Sequence, residues 1–564
     1  VRIAGTAVIN GELNRAARRD MFMFFPAVAA FLALLGWVIF RNVRDVCVLL
    51  CVSLGTVIVT EGLLVASGYH LNMVTIMLPT VLIALSVADA VHLIHAFHAS
   101  RQHVGESVRA ARYAVKLIAW PCAGTTLTTI AGFLAFSGSS VLPVFQLAVF
   151  ASFGIALAWA LTMTVAPILL IVLWQCQKRV DPPVALLGRR LLRKWSRFVT
   201  RHPRRIVVAF ALASVALLGL PSLQADTDYV KFFRAGTRVP LDYERLQQMG
   251  FPQNPLGLVF SLPADLGPLD ERHWPPLQSF TRRLESLPGV HSVLSPFVMS
   301  GSFEVADDHI ETLGGMLSRQ TNEIQLTVMM DYPSSQRLFT LLPQIRELAQ
   351  QVLPAEMKLT PTGTSYLWAR MDDGVIETQK ESLAIVCIAC FVILVFLFRS
   401  VGLGVLGLAL SIYPVAMVLG LMGLLHIPVN LATVLIAGIA VGLAVDDTIH
   451  FMHAFQESRR QGNERRSASE HAIVGVGLRM VVTSLILVGS FASMGFSNFT
   501  PTSQFGLLSS LTIGLALAAD LALLPALFSH RRAAVAQTFA QHESVTTVHA
   551  EATVSRRSAW ARTT

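Results

Sequence analysis

The chain has 564 residues, 53% hydrophobic and only 14% charged, with 44 Lys and Arg against 35 Asp and Glu for a net charge of +9. A soluble surface needs about 25% charged residues, so a soluble globular protein, a disordered chain and a nucleic-acid binder are excluded, and a polytopic membrane protein is expected. The charge is also unevenly placed: residues 224–381 hold 20 acidic and 13 basic groups, while the positive surplus lies in short loops between apolar runs, as in cytoplasmic loops.

Residues 1–20 are polar and read as the end of a first outer domain, whose beginning, with a leading span and any targeting segment, is expected upstream. Apolar runs near 22–40, 46–66, 73–97, 117–137 and 145–174 form a first transmembrane repeat over 21–175. A basic cytoplasmic linker follows at 176–205, with Trp195 among Arg and Lys, and reads as an amphipathic segment on the anionic inner leaflet. The run at 206–223 is the leading span of a second repeat, and 224–381 is a periplasmic α/β domain. Five further runs, near 382–398, 403–425, 430–455, 480–496 and 503–529, complete the second repeat over 382–529, before a cytoplasmic tail at 530–564. Eleven spans are therefore expected.

Sidedness follows from Lys and Arg. The 98–116, 175–205 and 456–479 loops are basic, whereas the opposite loops (SGYHLN, SGSSVLP, HIPVN, SNFTPT) contain neither residue, which places the basic loops in the cytoplasm. A cysteine introduced at Ser279 is expected to react with an impermeant thiol reagent from the periplasmic side. Labelling only after the inner membrane is permeabilised would reverse the assignment.

Within the outer domain, PLGLVFSL reads as a strand, LDERHWPPLQSFTRRLESL as a helix, VHSVLS and EIQLTVMMDY as strands, SSQRLFTLLPQIRELAQQVL as a helix and MKLTPTGT as a strand. That order, βαββαβ, is a ferredoxin-like split unit, and the segment near 226–254 adds a helical lobe. Five cysteines lie in apolar runs and Cys176 at the end of one, so no disulfide framework is implied. The Cys387/Cys390 spacing suits redox chemistry or zinc but has no partner ligands, and reads as packing.

Self-comparison at an offset of 358, without a gap, lays Arg41 on Arg399, Asn72 on Asn430, Asp89 on Asp447, His92 on His450, His95 on His453, Gln146 on Gln504 and Pro167 on Pro525. The chain is read as a tandem duplication, a 6+6 helix repeat with eleven spans present.

Ionisable groups inside spans are costly, at about 2.5–3.5 kcal/mol each. They are Glu61, Asp89, Asp446, Asp447 and Asp520, and no Lys or Arg is expected well inside a span to pair with them. Such carboxyls are candidates to take up and release protons. In GLAVDDTIHFMHAF, Asp446, Asp447, His450 and His453 fall on one helical stripe. The first repeat has ALSVADAVHLIHAF, where Ala88 replaces the first acid, so the two halves are functionally unequal. Asp89, Asp446, Asp447 and Asp520 are read as a proton relay, supported by His92, His450, Thr483 and Ser484. The plain alternative makes the aspartates hydrogen-bonding glue, and it is preferred for His95, His98 and His453 as interfacial residues. Glu61 is likewise read as interfacial. A metal site is the weakest reading, because helix-borne ligands favour i,i+4 spacing and a further ligand; no metal or cofactor is expected. Gly438 and Gly442 favour close helix contact, here expected to join the relay helices of the two repeats.

The Asp helix, the exit motif PTGTSYL and the segment TSLILVGSFASMGFSNFTPTSQFGLLSSLTIGLALAADLALLPAL resemble the RND superfamily, and most of all its bacterial branch of MMPL-type and hopanoid-exporter-like permeases, with Patched-type proteins as cousins. The resemblance spans nearly the whole chain before about residue 530. It implies proton-driven export with relay carboxylates at the positions of Asp89 and Asp446/Asp447, a bacterial inner-membrane location, and membrane lipids, protons and a lipid or other amphiphile as partners. A homo-oligomer is among the assemblies it allows. Multidrug members use a basic partner in the opposite half and a longer outer domain, features this sequence lacks, so a tripartite drug pump is not expected. A lipid sensor of the sterol-sensing kind is the alternative; an intramembrane hydrolase finds no nucleophile motif, so no enzyme is expected.

Overall fold

The computed structural model describes residues 6–174, 183–250, 254–262, 274–296, 316–331 and 334–529, apart from 225, 227, 229, 319–320 and 431. Among these residues, eleven helical segments are long and apolar enough to cross a membrane. The first repeat supplies α1 (Thr6–Phe40), α2 (Val43–Ala66), α3 (Leu78–Val104), α4 (Ser107–Leu134) and α5 (Leu142–Leu173). A basic helix α6 (Pro183–Arg201) leads to α7 (Pro203–Ala213), which continues as a 3-10 helix over Ser214–Ser222 to make the sixth crossing segment. The outer domain contributes α8 (Arg238–Gln248), β1 (Asn254–Ser261), α9 (Trp274–Glu285), β2 (Val290–Leu294), β3 (Leu317–Ser318), β4 (Glu323–Met330), α10 (Ser335–Val352) and β5 (Lys358–Thr362). The second repeat follows as α11 (Thr364–Phe398), α12 (Val401–Leu424), α13 (Val434–Arg460), α14 (Arg465–Ser493), α15 (Thr500–Ala518), a π-helical turn Ala519–Leu523 and α16 (Leu524–Ser529).

The duplication recurs in side-chain detail. Arg41 and Arg399 both adopt a left-handed φ, of 51° and 50°, and the next residues, Asn42 and Ser400, cap α2 and α12 through their side chains. Asn72 Nδ2 donates to Gln146 Oε1 at 2.6 Å, and Asn430 Nδ2 to Gln504 Oε1 at 2.9 Å. Each Asn also caps the backbone just ahead of it through Oδ1. A polar group left unsatisfied in hydrocarbon costs several kcal/mol, so such closed pairs fix each repeat's loop against its fifth helix. Two more pairs tie the repeats to each other: Ser497 donates to Asp20, and at the matching positions Thr378 donates to Ser139 at 3.3 Å.

Several helices overrun the apolar windows. α1 and α11 begin at Thr6 and Thr364, so each carries the end of an outer segment straight into a span. α14 begins at Arg465, which draws Arg479 into a crossing helix. The sixth segment is exposed along Val208, Leu212, Val215 and Leu218, an apolar face suited to lipid, and meets the bundle through glycine: a Cβ on Gly219 would stand 2.0 Å from the Gly420 carbonyl oxygen.

In the outer domain the strands run in the order β2-β4-β1-β5, every neighbour antiparallel, with β3 an additional short partner of β4. This is the ferredoxin-like split arrangement. β4 alternates buried and half-buried residues along its length, and its inward Ile324, Leu326 and Val328 pack with Phe260, Phe280 and Ile345 from β1, α9 and α10. Between β5 and α11, Gly363 turns the chain at φ 90°, and a Cβ there would lie 2.9 Å from the Gly257 nitrogen, so both conformation and space call for glycine. The domain is seated on the bundle by backbone bonds, Arg234 N to Asn498 O at 3.1 Å and Thr500 N to Phe232 O at 2.8 Å. Around them Phe232, Phe233, Tyr243 and Phe499 form a small core with Ile9 and Leu13 of α1.

Candidate functional site

The relay residues come from α3, α13 and the π-helical turn after α15. α3 and α13 are the most enclosed of the crossing helices, which places their polar stripe at the junction of the two repeats. Asp89 accepts from Thr126 Oγ1 of α4 at 3.3 Å, and Asp447 accepts from Ser484 Oγ of α14 at 2.7 Å. These are one interaction repeated, since Thr126 and Ser484 are also 358 positions apart. Cys122 is a second partner of Asp89. Asp520 is 2% exposed and accepts from Thr448 Oγ1 at 2.6 Å. Asp446 lies in electrostatic range of both Asp447 and Asp89, and Asp520 in range of Asp446 and Asp447. Four carboxyls thus form one cluster. Asp89, Asp446 and Asp447 are each half-buried as residues, although Asp446 Oδ1 itself is buried.

The π-helical turn lies just ahead of Pro525, whereas Pro167 at the matching position of the first repeat sits in a continuous α-helix. Pro525 has no N–H to give the carbonyl four residues back, so the Leu521 oxygen lacks its helical donor and instead accepts from Trp195 Nε1 of α6 at 2.9 Å. π turns recur at functional positions in helices, and this one holds Asp520.

On the side of the basic loops, His92 and His450 stack with ring centroids 4.2 Å apart and an interplanar angle of 20°. His450 Nε2 is 3.5 Å from Asp446 Oδ1. These two atoms and His92 Nδ1 are buried and have no hydrogen-bond partner among the described residues. Both rings line a cavity of about 340 Å³ that also takes in His453, Glu457, His471 and Arg479. Arg479 is in electrostatic range of both rings. The repeat is broken here: Ala88, Pro121, Tyr113 and Thr162 stand where the second half has Asp446, Arg479, His471 and Asp520.

Several sequence expectations are corrected. Arg479 does sit in a crossing helix, where hydropathy windows leave it outside because they stop at charge while the helix continues; it lies in range of the two histidine rings, and no ion pair joins it to the acids among the described residues. Thr483 does not join the cluster; its hydroxyl donates to the carbonyls of Arg479 and Met480. Gly438 and Gly442 contact α4 and the turn after it rather than α3: a Cβ on Gly442 would lie 2.9 Å from Thr128 O, and one on Gly438 2.5 Å from Phe136 Cε2. The relay helices of the two repeats meet instead through the histidine stack. His98, near the end of α3, is buried against protein and bonds Asp45 Oδ2 at 2.9 Å, while Trp174 Nε1 donates to the other oxygen at 2.9 Å. Asp45 and Asp20, both buried, belong among the ionisable groups of the spans. Thr126 was legible, since the offset of 358 applied to Ser484 gives it directly.

A family model described as the MMPL family matches residues 1–206 and 269–560. The chain belongs to the MMPL family. It is thereby placed with the RND-type permeases that its motifs resemble. MJ1562 of Methanocaldococcus jannaschii, named as a membrane protein, is 23% identical over 367 residues, covering 61% of this chain and 95% of its own length. MmpL11 of Mycobacterium leprae, named as a probable transport protein, is 25% identical over 180 residues, 31% of this chain. The hopanoid transporter HpnN of Rhodopseudomonas palustris is 29% identical over 153 residues, 27% of this chain. The match spans 17% of the length of each of these two. In this MMPL chain, the paired bonds Asp89–Thr126 and Asp447–Ser484 and the acids found only in the second half meet at the repeat junction.

Proposed function

We propose that this MMPL protein is a proton-motive-force-driven exporter of hydrophobic or amphiphilic compounds, lipids in particular, in a bacterial inner membrane. The observation that carries the reading is the four-carboxyl cluster between the repeats, bordered on one side by the histidine-lined cavity. Protons arriving from the periplasm load the Asp89, Asp447 and Asp520 carboxyls, pass by Asp446 and the His92/His450 stack, and leave through the cavity to the cytoplasm. Loading neutralises charge in a low-dielectric layer, which changes how closely α3, α13 and the π turn can approach.

The outer domain is linked to that change. α15 runs from the Phe232–Thr500 backbone bond at the domain's seat to the π turn with Asp520, so one rigid helix joins the relay to the substrate-handling side. One charge falling through 100 mV supplies about 2.3 kcal/mol and one pH unit about 1.4 kcal/mol, enough together for roughly several-hundred-fold accumulation.

HpnN is named as a hopanoid transporter, and a hopanoid is therefore the probe of choice. The protein reconstituted in phospholipid vesicles doped with a hopanoid is expected to move the hopanoid to acceptor vesicles when a pH gradient is imposed, and to stop when an uncoupler is added. Equal transfer with and without the gradient would favour a lipid-binding sensor instead.

A further inference from the structure

Helix α6 presents two unlike faces. Leu192, Ser196, Val199 and Thr200, all buried, recur at helical spacing and turn into the bundle. Val199 packs with Ala522 in the π turn and with Ala526 just beyond it. Thr200 Oγ1 donates to Glu470 at 2.7 Å, and Trp195 Nε1 holds the Leu521 carbonyl left open by Pro525. Away from that face α6 carries six Lys and Arg from Arg189 to Arg201, every one exposed and with no acid among them, and Arg204 and Arg205 at the start of α7 continue the run. Beside these cations Leu191 is 57% and Phe198 44% exposed.

A continuous row of cations flanked by exposed apolar side chains matches one surface in chemistry, an anionic phospholipid leaflet, where cations meet headgroups and apolar residues enter the acyl boundary. The inward face of the same helix is hydrogen-bonded to the turn that bears Asp520. We propose that α6 binds anionic phospholipid of the cytoplasmic leaflet and that, through Trp195, this contact sets the π-helical turn of the relay. The lipid contact stands on the geometry of α6, whereas its consequence for transport rests on the proposed function. The first repeat has Met163 at the position of Leu521 and Pro167 at that of Pro525, but Thr162 in place of Asp520, so the control acts on the half that carries the additional acids.

The test uses the full chain in nanodiscs of phosphatidylcholine, alone or with phosphatidylglycerol, and follows amide hydrogen exchange over residues 516–529. Phosphatidylglycerol is expected to slow exchange there by at least about fivefold. The response disappears in the quadruple variant Arg193→Gln, Lys194→Gln, Arg197→Gln and Arg201→Gln. Trp195→Phe keeps every cation and decides the matter even where the quadruple variant folds poorly: α6 remains protected by phosphatidylglycerol while residues 516–529 no longer respond. Equal exchange in the two lipids, or an undiminished response in Trp195→Phe, overturns the proposal. Hopanoid transfer run on the same lipids separates the two readings: a lipid-dependent exchange response with no proton-driven transfer in either lipid upholds the α6 contact and overturns the exporter reading alone.

Discussion

Asp447→Asn and Asp89→Asn are each expected to lower proton-driven transfer by at least about 100-fold, because an amide keeps the shape of the carboxyl but cannot cycle a proton. Folding is expected to survive, since the amide oxygen still accepts from Ser484 or Thr126. Asp446→Asn should behave differently. Asp446 has no counterpart in the first repeat, where Ala88 stands, and its Oδ1 has no hydrogen-bond partner among the described residues. Adjacent carboxyls are expected to titrate as one unit, with Asp446 tuning the pair, so its amide variant is expected to shift the pH optimum and leave measurable transport. Initial rates of hopanoid transfer against pH check this ranking. Transport at the wild-type rate in both Asp447→Asn and Asp89→Asn would remove the relay from these positions.

Closing the histidine-lined cavity is the second large effect. Gly475 lines it, and a Cβ there meets nothing within 4 Å, so Gly475→Phe can place a ring in the opening without disturbing the acids. Transport is expected to fall by roughly tenfold or more, while Gly475→Ala, which adds only a methyl to open space, keeps the wild-type rate. His450→Phe preserves a ring to stack on His92 but no nitrogen 3.5 Å from Asp446, and should fall comparably. Full activity in both Gly475→Phe and His450→Phe would mean that protons reach the cytoplasm by another route, with the carboxyl cluster unaffected.

Much of this architecture could be read from the sequence, and the reasons are specific. The offset of 358 located the repeat because polar residues in hydrocarbon are too costly to persist at matching positions by chance; the same offset leads to Asn72/Asn430 and Asp89/Asp447, whose bonds are also paired in the structure. The outer domain was legible from the period-two pattern of strands such as Glu323–Met330. Arg479 was hidden because a hydropathy window ends at a charge, whereas the helix continues beside a cavity that accommodates the guanidinium. The His98–Asp45 bond is not legible because the partners lie 53 positions apart on different helices, a pairing no local periodicity encodes. The π turn is not legible in the sequence, because Pro525 has a counterpart in Pro167, which sits in a continuous α-helix; the missing N–H of Pro525 explains only why the Leu521 carbonyl is free for Trp195. The β3 pairing of Leu317 and Ser318 is too short to leave a pattern.

The central claim is that carboxyls at the repeat junction gain and lose protons as transport proceeds, and infrared titration of the carboxyl C=O stretch in the purified full chain tests it most directly. Across the pH range over which hopanoid transfer changes, the account predicts a carboxyl band that grows and disappears with pH, lost in Asp447→Asn and displaced in Asp446→Asn. No carboxyl band that responds to pH, or a responding band untouched by Asp447→Asn, would contradict it.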